Sequence, residues 1–456
     1  MLRTAAILPT VGFAITVSVA PAAEYFVAPG GSDYDAGTLE APFGSLARAQ
    51  NAVAPGDTVW IRGGIYRFTD RSIAGNGRLY AEVIHLSRSG LRGAPIRYWA
   101  YGEERPVFDF SAVRPPNRRI QALHVTGSWL HLRGFELVGV QVTLEGHTQS
   151  ISVASDGSHN VFERLAMHDS QAIGVYCLNG SDNLFLNCDA YRNHDYTSEG
   201  GRGGNVDGFG CHPVDGGSMH IFRGCRAWHN SDDGFDLIMA RESVILENCW
   251  AFYNGYDASG QRLADGNGFK AGGYAATPAK ELPRRIPRHV IRNCLAVGNK
   301  ANGFYANHHP GGIDWINNSA FRNPTNFNFL GRTPDNRTDV PGVEHVVKNN
   351  LAFRGTPFGQ LDLNRCTRAA NTFDVGFSVT EADFRSLDES PLSGPRRKDG
   401  ALPDTRFLHL DGKSALLDRG EDVGLSFQGA APDPGCFETH VPRDKPKSGA
   451  SPPSGS

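Results

Sequence analysis

The sequence has almost no surplus of charge: 45 basic residues face 48 acidic ones, a formal net charge of −3. So close a balance excludes binding driven by a polybasic surface, whether to nucleic acid or to an anionic membrane. Past the first twenty or so residues no apolar run is long enough to cross a bilayer. A P-loop, a dinucleotide-binding glycine fingerprint and a nucleophile elbow are all missing, which sets aside nucleotide-driven and esterase-type chemistry. What the chain has in excess is glycine, 54 residues, with 27 prolines. Glycine inside a helix costs roughly 1 kcal/mol, so the composition argues against a helical bundle and for many short strands and turns. Hydrophobic residues at 40% and aromatics at 10% still suffice for a large core and exclude general disorder.

The two ends read differently from the middle. Met1-Leu2-Arg3, an apolar stretch from Ala5 to Ala20 and the small residues Ala20-Pro21-Ala22 predict a cleaved signal peptide over residues 1–22, and hence an extracellular or periplasmic protein. A membrane anchor is the competing reading, but the run is short for a span of about 20 residues. Residues 441–456 are mostly Pro, Ser, Gly and Lys and predict a disordered tail. Residues 23–440 are expected to form one elongated domain.

That domain repeats itself. Asn187-Cys188-Asp189-Ala190-Tyr191-Arg192-Asn193 returns as Gly224-Cys225-Arg226-Ala227-Trp228-His229-Asn230, as Asn248-Cys249-Trp250-Ala251-Phe252-Tyr253-Asn254 and as Asn293-Cys294-Leu295-Ala296-Val297-Gly298-Asn299. Weaker copies start at Arg164, Asn317 and Asn349. The alanine markers at 166, 190, 227, 251, 296, 320 and 352 are spaced 24, 37, 24, 45, 24 and 32 apart. A base period near 24 with variable insertions is the mark of a solenoid whose loops leave from fixed corners. The phrases alternate as short strands do, and too few residues separate them for helical crossovers. An all-β parallel β-helix of roughly ten coils with terminal caps satisfies both. Equivalent residues then lie about 4.8 Å apart, so Asn193, Asn230, Asn254, Asn299 and Asn323 form a ladder. Cys188, Cys225, Cys249 and Cys294 form a file, for which core packing as small hydrophobes is favoured over disulfides. Trp228 and Trp250 are read as packing or wall residues.

A second phrase follows each ladder asparagine: Asp207-Gly208-Phe209-Gly210, Asp233-Gly234-Phe235-Asp236, Asn267-Gly268-Phe269-Lys270 and Asn302-Gly303-Phe304-Tyr305. Aligned by coil, the phenylalanines stack. Asp207 falls beside Asp233, with Asp232 next in sequence, and Asp236 falls beside Lys270. Carboxylates gathered this closely are protonated or share a cation. Oxygen-only ligands in a flexible set favour a hard ion, Ca²⁺ over Mg²⁺. A stabilising calcium in a turn, a hydrogen-bonded Asp/Asn ladder, and a plain Lys270–Asp236 salt bridge are the non-catalytic readings. A lysine beside a metal-charged cluster suits β-elimination from a uronic acid polymer. The cation stabilises charge developed at the sugar carboxylate, and Lys270, its pKa lowered by the dication and burial, takes the C5 proton at alkaline pH.

These motifs, Asn205-Val206-Asp207-Gly208-Phe209-Gly210, Asn230 to Asp236 and Asp265 to Gly273, resemble polysaccharide lyase family 9, which contains pectate lyases on a right-handed parallel β-helix. The likeness runs from the amino-terminal cap at Tyr25 to about Arg332. It implies calcium held by Asp207, Asp232, Asp233 and Asp236, with Lys270 as the base. It fixes reaction type better than substrate, since rhamnogalacturonan and other uronate polymers are also cleaved in the family. The expected partner is an acidic polysaccharide, and a monomer is the default for a capped solenoid. Asn267, Tyr305, His308 and Arg202 are further candidates for substrate contact. Asn307, His309, His212 and Arg241 lie near them in sequence. Two other functions are carried forward. A β-helical glycoside hydrolase would use paired acids, but Gly-Asn-Gly-Phe-Lys stands where its Gly-His-Gly would be expected. A non-catalytic polysaccharide-binding β-helix would keep calcium for structure alone.

Overall fold

The computed structural model describes residues 22–146 and 149–439. The predicted signal peptide, save Ala22, and the predicted tail lie outside the described residues. Three sheets wind around one core, parallel save for the antiparallel Gly75–Asn76 at the edge of the third, and the central coils give one strand to each sheet. The first sheet has twelve strands, from Glu24–Val27 to Thr367–Ala369. The second has ten, from Gly64–Thr69 to Leu351–Phe353. The third has eleven, from Gly75–Asn76 to Thr356–Gly359. The ten strands of the second sheet match the expected number of coils. Ala190, Ala227, Ala251, Ala296, Ala320 and Ala352 stand in direct register along it, so these alanines did mark successive coils. The first expected marker, Ala166, is one residue off, facing Asp189 while Met167 takes the position before Ala190.

Local chemistry makes the corners. The residue that ends the first-sheet strand's turn is left-handed in coil after coil: Asn187, Asn248, Asn293, Asn317 and Asn349 have φ between 52° and 56°. Asparagine tolerates that region better than other side chains, so the chain bends into the second sheet within two residues. The next residue fills the corner. Cys188, Cys225, Cys249 and Cys294 are fully buried, and each directs its Sγ at a backbone carbonyl of the preceding coil, 3.3–3.5 Å away. From Asn318 onward the file continues as amides, Asn318, Asn350 and Asn371, each passing Nδ2 to the next residue's side-chain oxygen at 2.9–3.0 Å. All eight cysteines are free thiols.

At the second corner the predicted ladder is present. Asn193, Asn230, Asn254 and Asn299 each donate Nδ2 to the Oδ1 of the next rung at 3.0–3.1 Å, and Asn323 passes its own to Asn326 Oδ1 at 3.0 Å. Inside the third sheet Phe209, Phe235, Phe269, Phe304 and Phe327 stack with ring centroids 4.8–4.9 Å apart. One short helix, Leu46–Ala52, is capped by Ser45 Oγ accepting from Arg48 N and buries Leu46 and Ala49 against the first coil.

After Asn371 the chain stops winding and returns along the outside of the second sheet. Phe384, Leu392, Phe407, Leu410 and Leu416 form a second core with Trp228, Trp250, Phe252, Leu295 and Phe321, so both tryptophans are packing residues. Arg396 Nη2 reaches Asp189 at 2.7 Å, and Arg226 Nη1 donates to the carbonyls of Leu392 and Gly394. With the second sheet covered, the third keeps an open outer row. No described helix is long and apolar enough to cross a membrane.

Candidate active site

Strand alternation points every second side chain of the third sheet outward. Along that outer row Tyr176, Gly210, Asp236, Lys270, Tyr305 and Asn328 are consecutive register neighbours, one per coil. Gly210 gives no side chain, which leaves room beside Asp236. Three residues earlier, where the chain turns into each strand, runs a second ladder. Asn302 Nδ2 donates to Asn267 Oδ1 (2.7 Å), Asn267 donates N and Nδ2 to Asp233 Oδ1 (both 2.7 Å), and Asp233 N donates to Asp207 Oδ1 (3.1 Å). Asp232 is held by the two insertions that flank the site, accepting from Asn205 N at 2.9 Å and from Asp265 N at 3.0 Å.

The result is a buried carboxylate cluster. Asp207, Asp232 and Asp233 are 4%, 8% and 0% exposed, and each offers an oxygen within 4.8 Å of the others. Lys270 Nζ closes the cluster from the outer row, 3.0 Å from Asp236 Oδ2 and 3.1 Å from Asp233 Oδ2. Burial, and then repulsion from neighbouring carboxylates, push Asp207 and Asp232 well above the ordinary aspartate range; burial also raises Asp233, against the pull of Lys270. Burial alone would lower Lys270. Asp236, Asp233, Asp207 and Asp232 outweigh it and hold the amine as a cation. The lowering expected from an adjacent dication works against that pull. Asp233 Oδ2 is buried and, although ion-paired with Lys270, accepts no hydrogen bond of good geometry. An all-oxygen set with an under-used buried oxygen fits a hard divalent cation.

The other sequence candidates are placed unequally. Asn267 is buried, with its amide committed on both sides to Asp233 and Asn302, a positioning role rather than a free contact. Tyr305 follows Lys270 in the row and is half-buried, its hydroxyl pushed up to about 12 by burial. His308 lies at the edge of the Tyr305 ring and hydrogen-bonds Asp339 through Nδ1 at 2.8 Å. Arg202 stands exposed on the insertion before Asp207. His309 is no groove residue: it is buried, held by Gly273 N and the Pro287 carbonyl, and pushed down to about 4 by burial. Asn307 is likewise spent on the Gly272 carbonyl, and Arg241 pairs with Asp215. Tyr176 escaped the sequence reading. Its coil carries Gly174-Val175-Tyr176, the same glycine–apolar–outward pattern with valine in place of phenylalanine, in register with Gly208 to Gly210.

Comparison with known proteins fits this geometry. Residues 25–350 match the family model "Pel9A-like, right handed beta helix region". Pectate lyase L of Dickeya dadantii (strain 3937) is 35% identical over 422 residues, covering 91% of this chain and 90% of that protein. Pectate lyase PEL9 of Emericella nidulans is 28% identical over 442 residues, covering 92% and 98%. Among solved structures, a rhamnogalacturonan lyase superposes with a TM-score of 0.83 at 43% identity over 85% of this chain and 96% of its own. Pectate lyase Pel9A superposes with a TM-score of 0.74 at 31% identity over 93% and 98%. The chain thus belongs to the Pel9A-like right-handed β-helix family and is a polysaccharide lyase of family 9.

Proposed function

We propose that this protein is an exported, calcium-dependent lyase that cleaves polygalacturonate by β-elimination, with Lys270 as the base. The observation that carries the reading is the position of Lys270 Nζ, 3.0 and 3.1 Å from Asp236 and Asp233, at the open edge of a carboxylate cluster whose oxygens are incompletely satisfied. Asp207, Asp232, Asp233 and Asp236 would hold the ion. Calcium bound there supplies positive charge that stabilises the enolate-like charge developing at the uronate carboxylate. Asn267 holds Asp233, Asn205 N and Asp265 N hold Asp232, Asp233 N donates to Asp207 and Ile238 N to Asp236, so the site is organised before substrate arrives.

Lys270, in its neutral form, accepts the C5 proton. The C–H electron pair becomes the C4=C5 double bond, the C4–oxygen bond breaks with its pair going to oxygen, and that oxygen is protonated by water. The ammonium then returns its proton to solvent. Because the base must be neutral and its carboxylate neighbours hold it charged, activity rises towards alkaline pH. Tyr305, His308 and Arg202 are the substrate contacts of this reading, and the enzyme works as a monomer outside the cytoplasm. The test is absorbance of the unsaturated product from polygalacturonate at alkaline pH. A calcium-dependent rise that Lys270→Ala abolishes supports the proposal, and reducing ends without absorbance would make it a hydrolase. The 43% identity to a rhamnogalacturonan lyase favours a second reading on the same site, with rhamnogalacturonan as substrate. The same assay with that polymer separates the two.

A further inference from the structure

Four coils towards the amino terminus, the same outer row carries a second group of ligand-type side chains. Glu82 and His85 lie on strand Tyr80–Leu86, and His124 lies on the next strand, Arg119–Val125, in direct register with His85. One ligand atom from each of the three falls within 4.8 Å of the others. Glu82 Oε2 is 3.4 Å from His85 Nδ1 and 3.3 Å from His124 Nδ1. Ligand atoms about 2.0–2.1 Å from a tetrahedral zinc lie about 3.3–3.4 Å from one another, which is the separation of the Glu82 oxygen from each imidazole nitrogen.

The opposite ring nitrogens are anchored. His124 Nε2 is 2.9 Å from Asp156 Oδ2, and His85 Nε2 is 2.8 Å from Thr126 Oγ1. Outer partners of this kind fix an imidazole's tautomer and aim its other nitrogen at a metal. A plain ion pair explains the arrangement less well. His124 Nδ1 is buried and has no hydrogen-bond partner, Glu82 Oε2 notwithstanding. An oxygen beside the ring-nitrogen axis, rather than on it, is where a second ligand of one metal stands. Opposite Glu82 is Gly75, where a Cβ would come within 3.0 Å of Glu82 Oε2. Glu82 and His85 remain partly exposed, 22% and 35% by side chain, so the group is open on its outer side.

We propose that Glu82, His85 and His124 form a divalent transition-metal site of the zinc class, with its fourth position open to the groove. Two imidazoles and one carboxylate select such a metal over calcium, so this site and the aspartate cluster do not compete for one ion. His124 is four register steps from Asp236, about 19 Å at about 4.8 Å per step. Resting on the lyase reading above, the fourth ligand is a carboxylate of acidic polymer lying along the row, which makes the site a distal anchor.

The test starts with the full-length, metal-free protein in excess calcium, titrated with zinc by calorimetry. One zinc per chain is expected, with affinity at least tenfold lower in His85→Ala and His124→Ala and retained in Asp233→Asn. Absence of a stoichiometric site, or equal affinity in the histidine variants, overturns the proposal. Cobalt added to the unaltered protein guards against a misfolded variant. Intense visible bands of a four-coordinate centre, displaced by zinc, are expected, and only the faint bands of hydrated cobalt would overturn it. For the anchor, polygalacturonate binding to Lys270→Ala protein should tighten several-fold with zinc, and equal affinity with and without zinc sinks that role. Failure of the lyase reading appears elsewhere, as a lack of ultraviolet-absorbing product, and leaves the zinc titration unaffected.

Discussion

Two ladders run through this solenoid, and they differ by one atom type per rung. At the second corner Asn193 to Asn323 hand an amide hydrogen to an amide oxygen five residues in succession. An amide donates and accepts, so such a ladder can continue indefinitely with every group satisfied. The second ladder begins the same way at Asn302 and Asn267, then changes to Asp233 and Asp207. A carboxylate only accepts. Where two are stacked and a third, Asp232, is added, one oxygen lacks a hydrogen bond and like charges face each other in a buried space. The amide ladder stabilises the coil, and the acidic ladder spends stability to make a place for a cation and a lysine.

Breaking the acidic side has the largest expected effect. Lys270→Ala should lower kcat by about 10²- to 10⁴-fold, the range for losing a positioned base, with an unchanged circular dichroism spectrum. Breaking the amide side should do the reverse. Asn254→Ala removes the side-chain acceptor of Asn230 N and Nδ2 and the donor to the Ala227 carbonyl, while Asn299 Oδ1 keeps the backbone N of residue 254, at a cost of about 3 kcal/mol. The melting temperature should fall by several degrees while kcat of the folded fraction is retained. Converting one ladder into the other sharpens the contrast. Asp233→Asn should weaken calcium binding about tenfold or more yet raise the stability of the calcium-free protein by about 1 kcal/mol, since a buried like charge is removed; chemical denaturation in chelator reads this directly.

The smallest effect is a pH slope. Asp207, Asp232 and Asp233 have raised values in the fold. The stability tied to their protonated forms is complete below the ordinary aspartate value and is lost as pH rises through the raised ones. Calcium binds the ionised forms. Its stabilisation, read as a shift in melting temperature, should therefore be greater at pH 8 than at pH 5. An equal shift at both would count against these ligands.

Much of this was legible because the repeat prints it. The alanine-marked phrases gave the coils, and the Gly-Phe phrases placed Asp233, Asp236 and Lys270 on neighbouring turns, since register in a parallel stack follows from counting. The reading failed where the same position changes chemistry. The cysteine file turns into the Asn318–Asn350–Asn371 ladder, which looks like a lapse of the repeat until the corner is seen to need only a buried donor to the carbonyl of the coil before. Tyr176 hid behind a valine. Glu82, His85 and His124 lie in early coils that carry no marker phrase, so nothing in the sequence aligned them. The return of the chain after Asn371 was beyond counting altogether, because it is set by apolar surface on Trp228, Trp250 and Phe321 rather than by period.

That return segment changes how the molecule can come apart. A solenoid whose coils touch only their neighbours frays from its ends, one turn at a time. Here Arg396 grips Asp189, 207 residues earlier in the chain, and Cys436 N donates to Ser319 Oγ. The return segment thus fastens coils near the middle to coils near the end, like a clasp across a folded garment. The coils bearing Asp207, Asp233 and Lys270 lie within the fastened stretch, and they should open together or not at all.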